Sequence, residues 1–278
     1  MTQNTLVIHT PRLTETQQTT LIDSFGEPVQ KNNHWRIATD SEVNQEQLIK
    51  LRNSLQLDIN ILPTAFNPNA TKLVISDMDS TLIGIECIDE IADMFNIKPQ
   101  VAAITEAAMR GELNFEQSLT QRVALLSGLD EQALDRVYNQ RLTLNPGAEA
   151  WITGLKSRDI KFALVSGGFD VFTSRLQKRL ELDFSRANKL AIEQGVLTGS
   201  VIGSIIGAQA KADFLHELCQ KLAITPEQVI AIGDGANDLL MMQAAGLSVA
   251  FRAKPTVQAK ANCVLNYSGL DAMLDLLE

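Results

Sequence analysis

The 278 residues leave room for one large domain or two ordinary ones, and a hydrophobic share of 45% is enough for a sizeable core. A net charge of -9 argues against a general nucleic-acid binder, which needs a basic face, though not against an anionic ligand held by a few local cations. Three scattered cysteines (Cys87, Cys219 and Cys263) argue against a disulfide framework or cysteine zinc site, no run approaches the roughly 18 apolar residues of a membrane helix, and MTQNTLVIHTPR lacks the basic and apolar parts of a leader, so a cytoplasmic setting is expected.

In chain order, TLVIH (5–9) predicts a strand, TETQQTTLIDSF (14–25) a helix, HWRIATD (34–40) a strand, NQEQLIKLRNSL (44–55) a helix and LDINIL (57–62) a strand. PTAFNPNAT (63–71) has the composition of a linker, which puts a boundary near residue 70. Residues 1–70 thus read as a small β-α-β-α-β accessory domain, with regulation as one use for it. They show no titratable cluster that suggests catalysis. The three histidines, His9, His34 and His216, lack metal-ligand spacing and read as incidental.

From residue 71 to 278 the alternation resumes. KLVIS (72–76), IKFALVS (160–166), VIAIG (229–233), LSVAF (247–251) and CVLN (263–266) are apolar throughout, as strands buried on both faces are. Helical patterns separate them, which predicts an α/β fold with a doubly wound parallel sheet. Residues 86 to 145 are helical without a strand signal, an insertion that would hang as a cap over the strand ends. NKLAIEQGVLTGSVIG (188–203) reads as a hairpin.

Four polar stretches fall where strands end, and in a parallel sheet such ends share the edge where ligands bind. SDMDS places Asp77 and Asp79 after the first core strand; SGGFD (166–170) follows KFALV; GAQAKADFL sets Lys211 at a helix start; GDGAND (233–238) follows VIAI. Together they suit phosphoryl transfer. Asp77 at its strand end is the candidate nucleophile. Asp79, whose pKa should rise beside a second carboxylate, is the candidate acid and base. Attack of an anion on a phosphate dianion requires a cation, and Mg²⁺ would take Asp77, Asp234 and a backbone carbonyl near Asp79. Ser166 and the amides of Gly167 and Gly168 precede a helix and could receive phosphate oxygens, and Lys211 would neutralise the remaining charge.

These stretches, in this order, resemble the haloacid dehalogenase-like phosphatase superfamily over residues 71–278. DMDSTLIGIECIDE, AAMRGELNFEQSLTQRVALLSG, SGGFD, GAQAKAD and GDGANDLLMM further resemble the phosphoserine phosphatases within it. The resemblance implies Mg²⁺-dependent hydrolysis of O-phospho-L-serine through an aspartyl-phosphate, the last step of serine biosynthesis. It implies Asp77 as nucleophile and Asp79 as acid and base. Mg²⁺ would sit on Asp77, the backbone carbonyl of Asp79, and Asp234. Substrate would meet Glu86, Arg122, Ser166, Gly167, Lys211 and Asn237, with Asp238, Gly168, Met109 and Phe115 in support. One departure stands out: Gly207 occupies a position where the family usually has an acid.

Each residue alone also has a plainer reading. Asp77 and Asp79 could be a turn or cap pair, Asp234 and Asn237 a turn, Ser166 an N-cap and Lys211 a solvated lysine. Met109 and Phe115 could be cap core. Glu86 could be a first-turn acid answering a helix dipole. Arg122 lies on an apolar face with Phe115, Leu119 and Leu126, where it could snorkel or bridge to an acid. Against that, a paired N–H donor suits a substrate carboxylate and an acid suits an ammonium, which gives Arg122 and Glu86 a use in telling an amino acid from other alcohols. Two further functions share the strand-end chemistry: a phosphatase or phosphotransferase acting on another small amino phosphate, and a receiver-like phospho-aspartate module. The second aspartate and the helical cap count against a receiver. The partner expected is a small phosphate ester, not nucleic acid or membrane; the sequence carries no signal of oligomeric state.

Overall fold

The computed structural model describes residues 4–40 and 43–278; residues 1–3 and 41–42 of the expected accessory unit lie outside the described residues. The first seventy residues form β1 (Asn4–Ile8), α1 (Glu15–Phe25), β2 (Val29–Gln30), β3 (Trp35–Thr39), α2 (Gln45–Leu55) and β4 (Ile59–Leu62). Side-chain caps start both helices: Thr14 and Gln17 form a reciprocal capping box, and Asn44 accepts from the Glu46 amide. The strands make an antiparallel sheet in the order β2-β3-β1-β4. Strand β2 is absent from the sequence expectation because its two residues are both exposed and show no alternation.

Strand β1 buries both faces. Leu6 and Ile8 pack with Leu21, Phe25 and Leu48 of the helices, whereas Val7 joins Leu62 in the main core. Several polar groups at this junction are buried and paired. Asp58 accepts from the amides of Asn266, Tyr267 and Ser268 at 2.7, 3.0 and 2.7 Å. Asn60 exchanges two hydrogen bonds with the backbone of Val264. His9 and His34 are not incidental, contrary to expectation. Both are buried, with Nδ1 at 2.9 and 3.4 Å from Asp275 near the C-terminus. Sequence separation of more than 200 residues hid this arrangement.

The remaining chain runs β5 (Leu73–Ser76), an irregular turn over 78–82, and four helices: α3 (Cys87–Met94), α4 (Lys98–Met109), α5 (Phe115–Ala124) and α6 (Gln132–Gln140). It continues with α7 (Ala148–Ser157), β6 (Lys161–Phe169), α8 (Asp170–Leu180), β7 (Phe184–Glu193), β8 (Val196–Ile202) and α9 (Ala208–Leu222). Then come β9 (Val229–Gly233), α10 (Leu239–Ala244), β10 (Leu247–Phe251), α11 (Pro255–Gln258) and β11 (Cys263–Leu265), followed by a 3-10 helix over Leu270–Leu277. They build a seven-stranded sheet in the order β11-β10-β9-β5-β6-β7-β8, parallel except for β8. Alternate residues serve the two helical layers. Val74, Leu164 and Ile230 face a layer with Trp151 and Phe172; Ile75, Ala163 and Ala231 face one with Leu215, Leu218 and Met241. The hairpin is as expected, but its first strand begins four residues earlier and extends the sheet beside β6. Its polar start, FSRAN, concealed that.

The helical insertion leaves and returns at one point. Ile83 bridges Leu144, the Gly84 amide donates to the Thr143 carbonyl at 2.9 Å, and the Asn145 side chain donates to the carbonyls of Thr81 and Ile83. This closed neck seats the cap above the β5 end. The hairpin holds its far side, through backbone bonds of Leu197 with Gly128 and Leu129. Among the described residues, no helix is long and apolar enough to cross a membrane.

Candidate active site

The carboxyl ends of β5, β6 and β9 meet the start of α9 under the cap, around a cavity of about 730 Å³, a size suited to a small ligand. Asp77 leaves β5 with its amide donating to the Ile232 carbonyl at 3.0 Å, so sheet pairing fixes its position up to the reacting end. Lys211, in the first turn of α9, is wholly buried; its ammonium donates to Asp77 Oδ1 at 2.5 Å and Asp238 Oδ1 at 2.6 Å. Asp238 Oδ2 accepts from the Gly235 amide at 3.0 Å. Burial opposes the charge on Lys211, but Asp238 and Asp77 outweigh it and hold its pKa above the ordinary value. The cluster nevertheless has more acid than base. Burial and then the Asp238 charge push Asp77 well up, and burial and Asp238 bring Asp234 to about 6.

That excess fits a divalent cation. Asp77, Asp234 and Asp238 each bring an oxygen within 4.8 Å of the others. Asp238 has both oxygens engaged by Lys211 and Gly235, which leaves Asp77 and Asp234 as the freer donors. Thr81 Oγ1 donates to Asp234 Oδ1 at 3.1 Å and orients it.

Asp79 sits in a separate hydrogen-bond set. The Cys87 amide donates to Oδ1 at 2.9 Å and Ser166 Oγ donates to Oδ2 at 3.1 Å. Its pKa is raised by burial, against the pull of those bonds; the neighbouring Asp77 carboxylate is not the cause, which corrects the sequence argument. The Gly168 amide, expected to face a phosphate, instead donates to Ser166 Oγ at 2.8 Å and fixes that hydroxyl on Asp79. Close approach favours glycine here, since a larger residue would displace neighbouring side chains. A Cβ on Gly168 would lie 2.6 Å from Asp79 Oδ2, and one on Gly167 would lie 2.8 Å from Phe115 Cζ.

The cap supplies Glu86 and Arg122. Glu86 precedes α3 and accepts from Ser80 Oγ at 2.6 Å, while Ser80 holds a left-handed φ of 55° that turns the chain from Asp79 toward the cap. Solvent reaches the Glu86 carboxyl through the cavity, yet protein surrounds most of it; burial, then the Asp79 charge, push its pKa up to about 7. Arg122, near the end of α5, is half-buried and lines the same cavity. Its Nε donates to the Ser118 carbonyl at 3.4 Å, and among the described residues no carboxylate pairs with it. Leu126 is buried but lies beyond the helix end rather than on it.

Asn237, Gly167 and Phe115 also line the cavity. Met109 lines its rim at 68% exposure, so it is not cap core. Gly207 is the N-cap of α9; a side chain there would grow toward the Phe115 ring, whose Cδ1 lies 3.4 Å from the Cβ position. The sequence reading gave no role to Thr81, Ser80, the Cys87 amide or Lys254. The two hydroxyls directly after Asp79 were the available signal; an amide and a distant lysine gave none.

The family model of the haloacid dehalogenase-like hydrolases matches residues 71–246, the stretch that supplies Asp77, Asp79, Lys211, Asp234 and Asp238, and the chain belongs to that family. Within that class it falls among the phosphoserine phosphatases. The phosphoserine phosphatase of Albidiferax ferrireducens is 51% identical over 212 residues, 74% of this chain and 90% of that one. A HAD family hydrolase from Salmonella enterica, solved by crystallography, superposes with a TM-score of 0.90 at 34% identity, over 99% of both chains. A phosphoserine phosphatase solved as a phospho-aspartyl intermediate analogue is 40% identical, with a TM-score of 0.70, over 75% of this chain and 99% of that one.

Proposed function

We propose that this chain hydrolyses O-phospho-L-serine to L-serine and phosphate with Mg²⁺, through an aspartyl-phosphate on Asp77, as the last step of serine biosynthesis. The observation that carries the serine assignment is Arg122: a half-buried guanidinium that has no carboxylate partner among the described residues, lining one cavity with Glu86. A phosphate ester bearing an ammonium and a carboxylate would pair both groups. The relative captured as a phospho-aspartyl intermediate analogue supports the covalent route.

Asp77, the backbone carbonyl of Asp79, and Asp234 would hold Mg²⁺, whose oxygen preference matches this set. Bound there, the ion supplies the positive charge that lets a carboxylate approach a phosphate dianion. Asp77 attacks phosphorus as the ester P–O bond breaks, and Asp79 donates its proton to the departing serine oxygen. Asp79 then takes a proton from the water that cleaves the acyl phosphate. Its raised pKa and its anchoring by Cys87 and Ser166 suit both tasks. Lys211 holds Asp77 in place, favours its ionised form against burial and the Asp238 charge, and neutralises phosphoryl charge, with Asp238 holding Lys211. Ser166, the Gly167 amide and Asn237 are assigned to the phosphate. Three free, buried cysteines favour a reducing, cytoplasmic setting.

Selectivity tests the reading. Arg122→Ala and Glu86→Gln are each expected to lower kcat/KM for phosphoserine at least about tenfold, the equivalent of ~1.4 kcal/mol. Activity on p-nitrophenyl phosphate, which has neither charged group, should fall much less. Parallel loss on both esters would make the two residues structural.

Residues 1–70 are proposed as an accessory unit that braces the phosphatase domain, since every residue assigned to the reaction follows the linker. Deleting them should preserve Mg²⁺-dependent activity at low temperature. It should also lower Tm, because it strips Val7 and Leu62 from the core and leaves the amides of residues 266–268 without Asp58. A truncated chain that is folded but inactive would mean that this unit completes the site.

A further inference from the structure

We propose that Lys254 is a capture residue for this site: an ammonium at the cavity mouth that draws in the dianionic substrate and sets its approach, without entering the chemical step. This rests on the phosphatase reading above. The difficulty it addresses is electrostatic. The protein carries a net charge of -9, and the cavity wall holds Asp77, Asp79, Glu86 and Asp234. A phosphate ester dianion approaching such a mouth is repelled unless a local cation shapes the field.

Among the described residues, three cations belong to the site, and Lys254 is the one at its entrance. Lys211 is wholly buried and already engaged by two carboxylates, so its field is largely cancelled outside. Arg122 lies inside, on the cap. Lys254 is exposed on the core side, where the chain leaves β10 and enters α11, and it lines the same cavity. Among the described residues no carboxylate pairs with it. The contact it makes is with the thioether of Met109, Nζ to Sδ at 3.9 Å. A thioether is a weak acceptor and leaves the charge uncompensated. Met109 closes α4 and is 68% exposed, so the pair forms a lip where cap and core meet. The thioether steadies the ammonium there while leaving it free to meet an anion.

The test compares Lys254→Gln, Lys254→Glu and Lys254→Arg with the unaltered chain, on phosphoserine and on p-nitrophenyl phosphate. It is run at ionic strengths of about 0.01 M and about 1 M, where charges are felt over about 30 Å and about 3 Å. At low salt KM should rise about fivefold in Lys254→Gln and more than about tenfold in Lys254→Glu, with kcat within about twofold. Lys254→Arg should match the unaltered chain. The ratio of variant to unaltered KM should collapse toward one at high salt. Because the side chain is exposed, Tm should not move. An unchanged KM for Lys254→Glu at low salt, or a kcat loss that salt does not alter, would overturn the proposal. Both esters are dianions, so the p-nitrophenyl phosphate arm judges Lys254 by itself. If the unaltered chain ignores phosphoserine, the substrate reading fails and that arm still decides the role of Lys254.

Discussion

Asp77→Asn is expected to abolish turnover while the fold stands. The amide has the size of the carboxylate but carries no anionic oxygen to attack phosphorus, so no route to the aspartyl-phosphate remains. A loss of at least about a thousandfold in kcat, ~4 kcal/mol of barrier, is expected. Stability should move the other way or not at all. Asp77 is buried beside Asp238 with its pKa pushed well up, so removing its charge relieves a cost that Lys211 only partly offsets. Phosphate release and thermal unfolding check the two halves. A variant with near-full activity, once mass spectrometry has excluded deamidation back to aspartate, would remove Asp77 from the mechanism.

The second large effect is expected from Asp79→Asn, and its size should depend on the ester. From phosphoserine the departing group is the serine alkoxide, which needs a proton, whereas p-nitrophenolate does not. Loss on phosphoserine should therefore reach about a hundredfold or more, at the scale of general acid catalysis. On p-nitrophenyl phosphate the first step should persist and hydrolysis of the acyl phosphate should become slow. A burst of p-nitrophenol, stoichiometric with enzyme and followed by a slow steady state, is the expected trace. Ser166 and the Cys87 amide can still bond to the substituted side chain, so collapse of the site is not the expected cause. Equal loss on both esters, with no burst, would count against the acid and base assignment.

The core strands were legible because burial on both faces leaves apolar runs, and the cap because four successive helical patterns lacked any strand between them. The site was legible for the same topological reason: Asp77 and Asp234 follow parallel strands and Ser166 lies in the last part of another, so they had to arrive at one edge. What stayed hidden was non-local or carried by the backbone. His9 and His34 gain their meaning from Asp275, which no local pattern connects to them. The cause of the raised Asp79 pKa was misread because spacing suggests repulsion from Asp77, whereas burial dominates in the fold. Met109 looks apolar and helical in sequence, but α4 ends at the cavity rim and leaves it exposed. Lys254 is one lysine among many until the fold carries it to the mouth of the site.

The central claim is that the cavity reads serine's ammonium and carboxylate as well as its phosphate. The most direct measurement is kcat/KM of the purified, Mg²⁺-loaded chain on O-phospho-L-serine against small phosphate monoesters lacking one or both groups, such as phosphoethanolamine and p-nitrophenyl phosphate. The account predicts that phosphoserine leads by at least about tenfold over an ester missing either charged group, since each missing pair leaves Arg122 or Glu86 unpartnered in the cavity. Equal kcat/KM across the set, or a preference for an ester without the carboxylate, would contradict it.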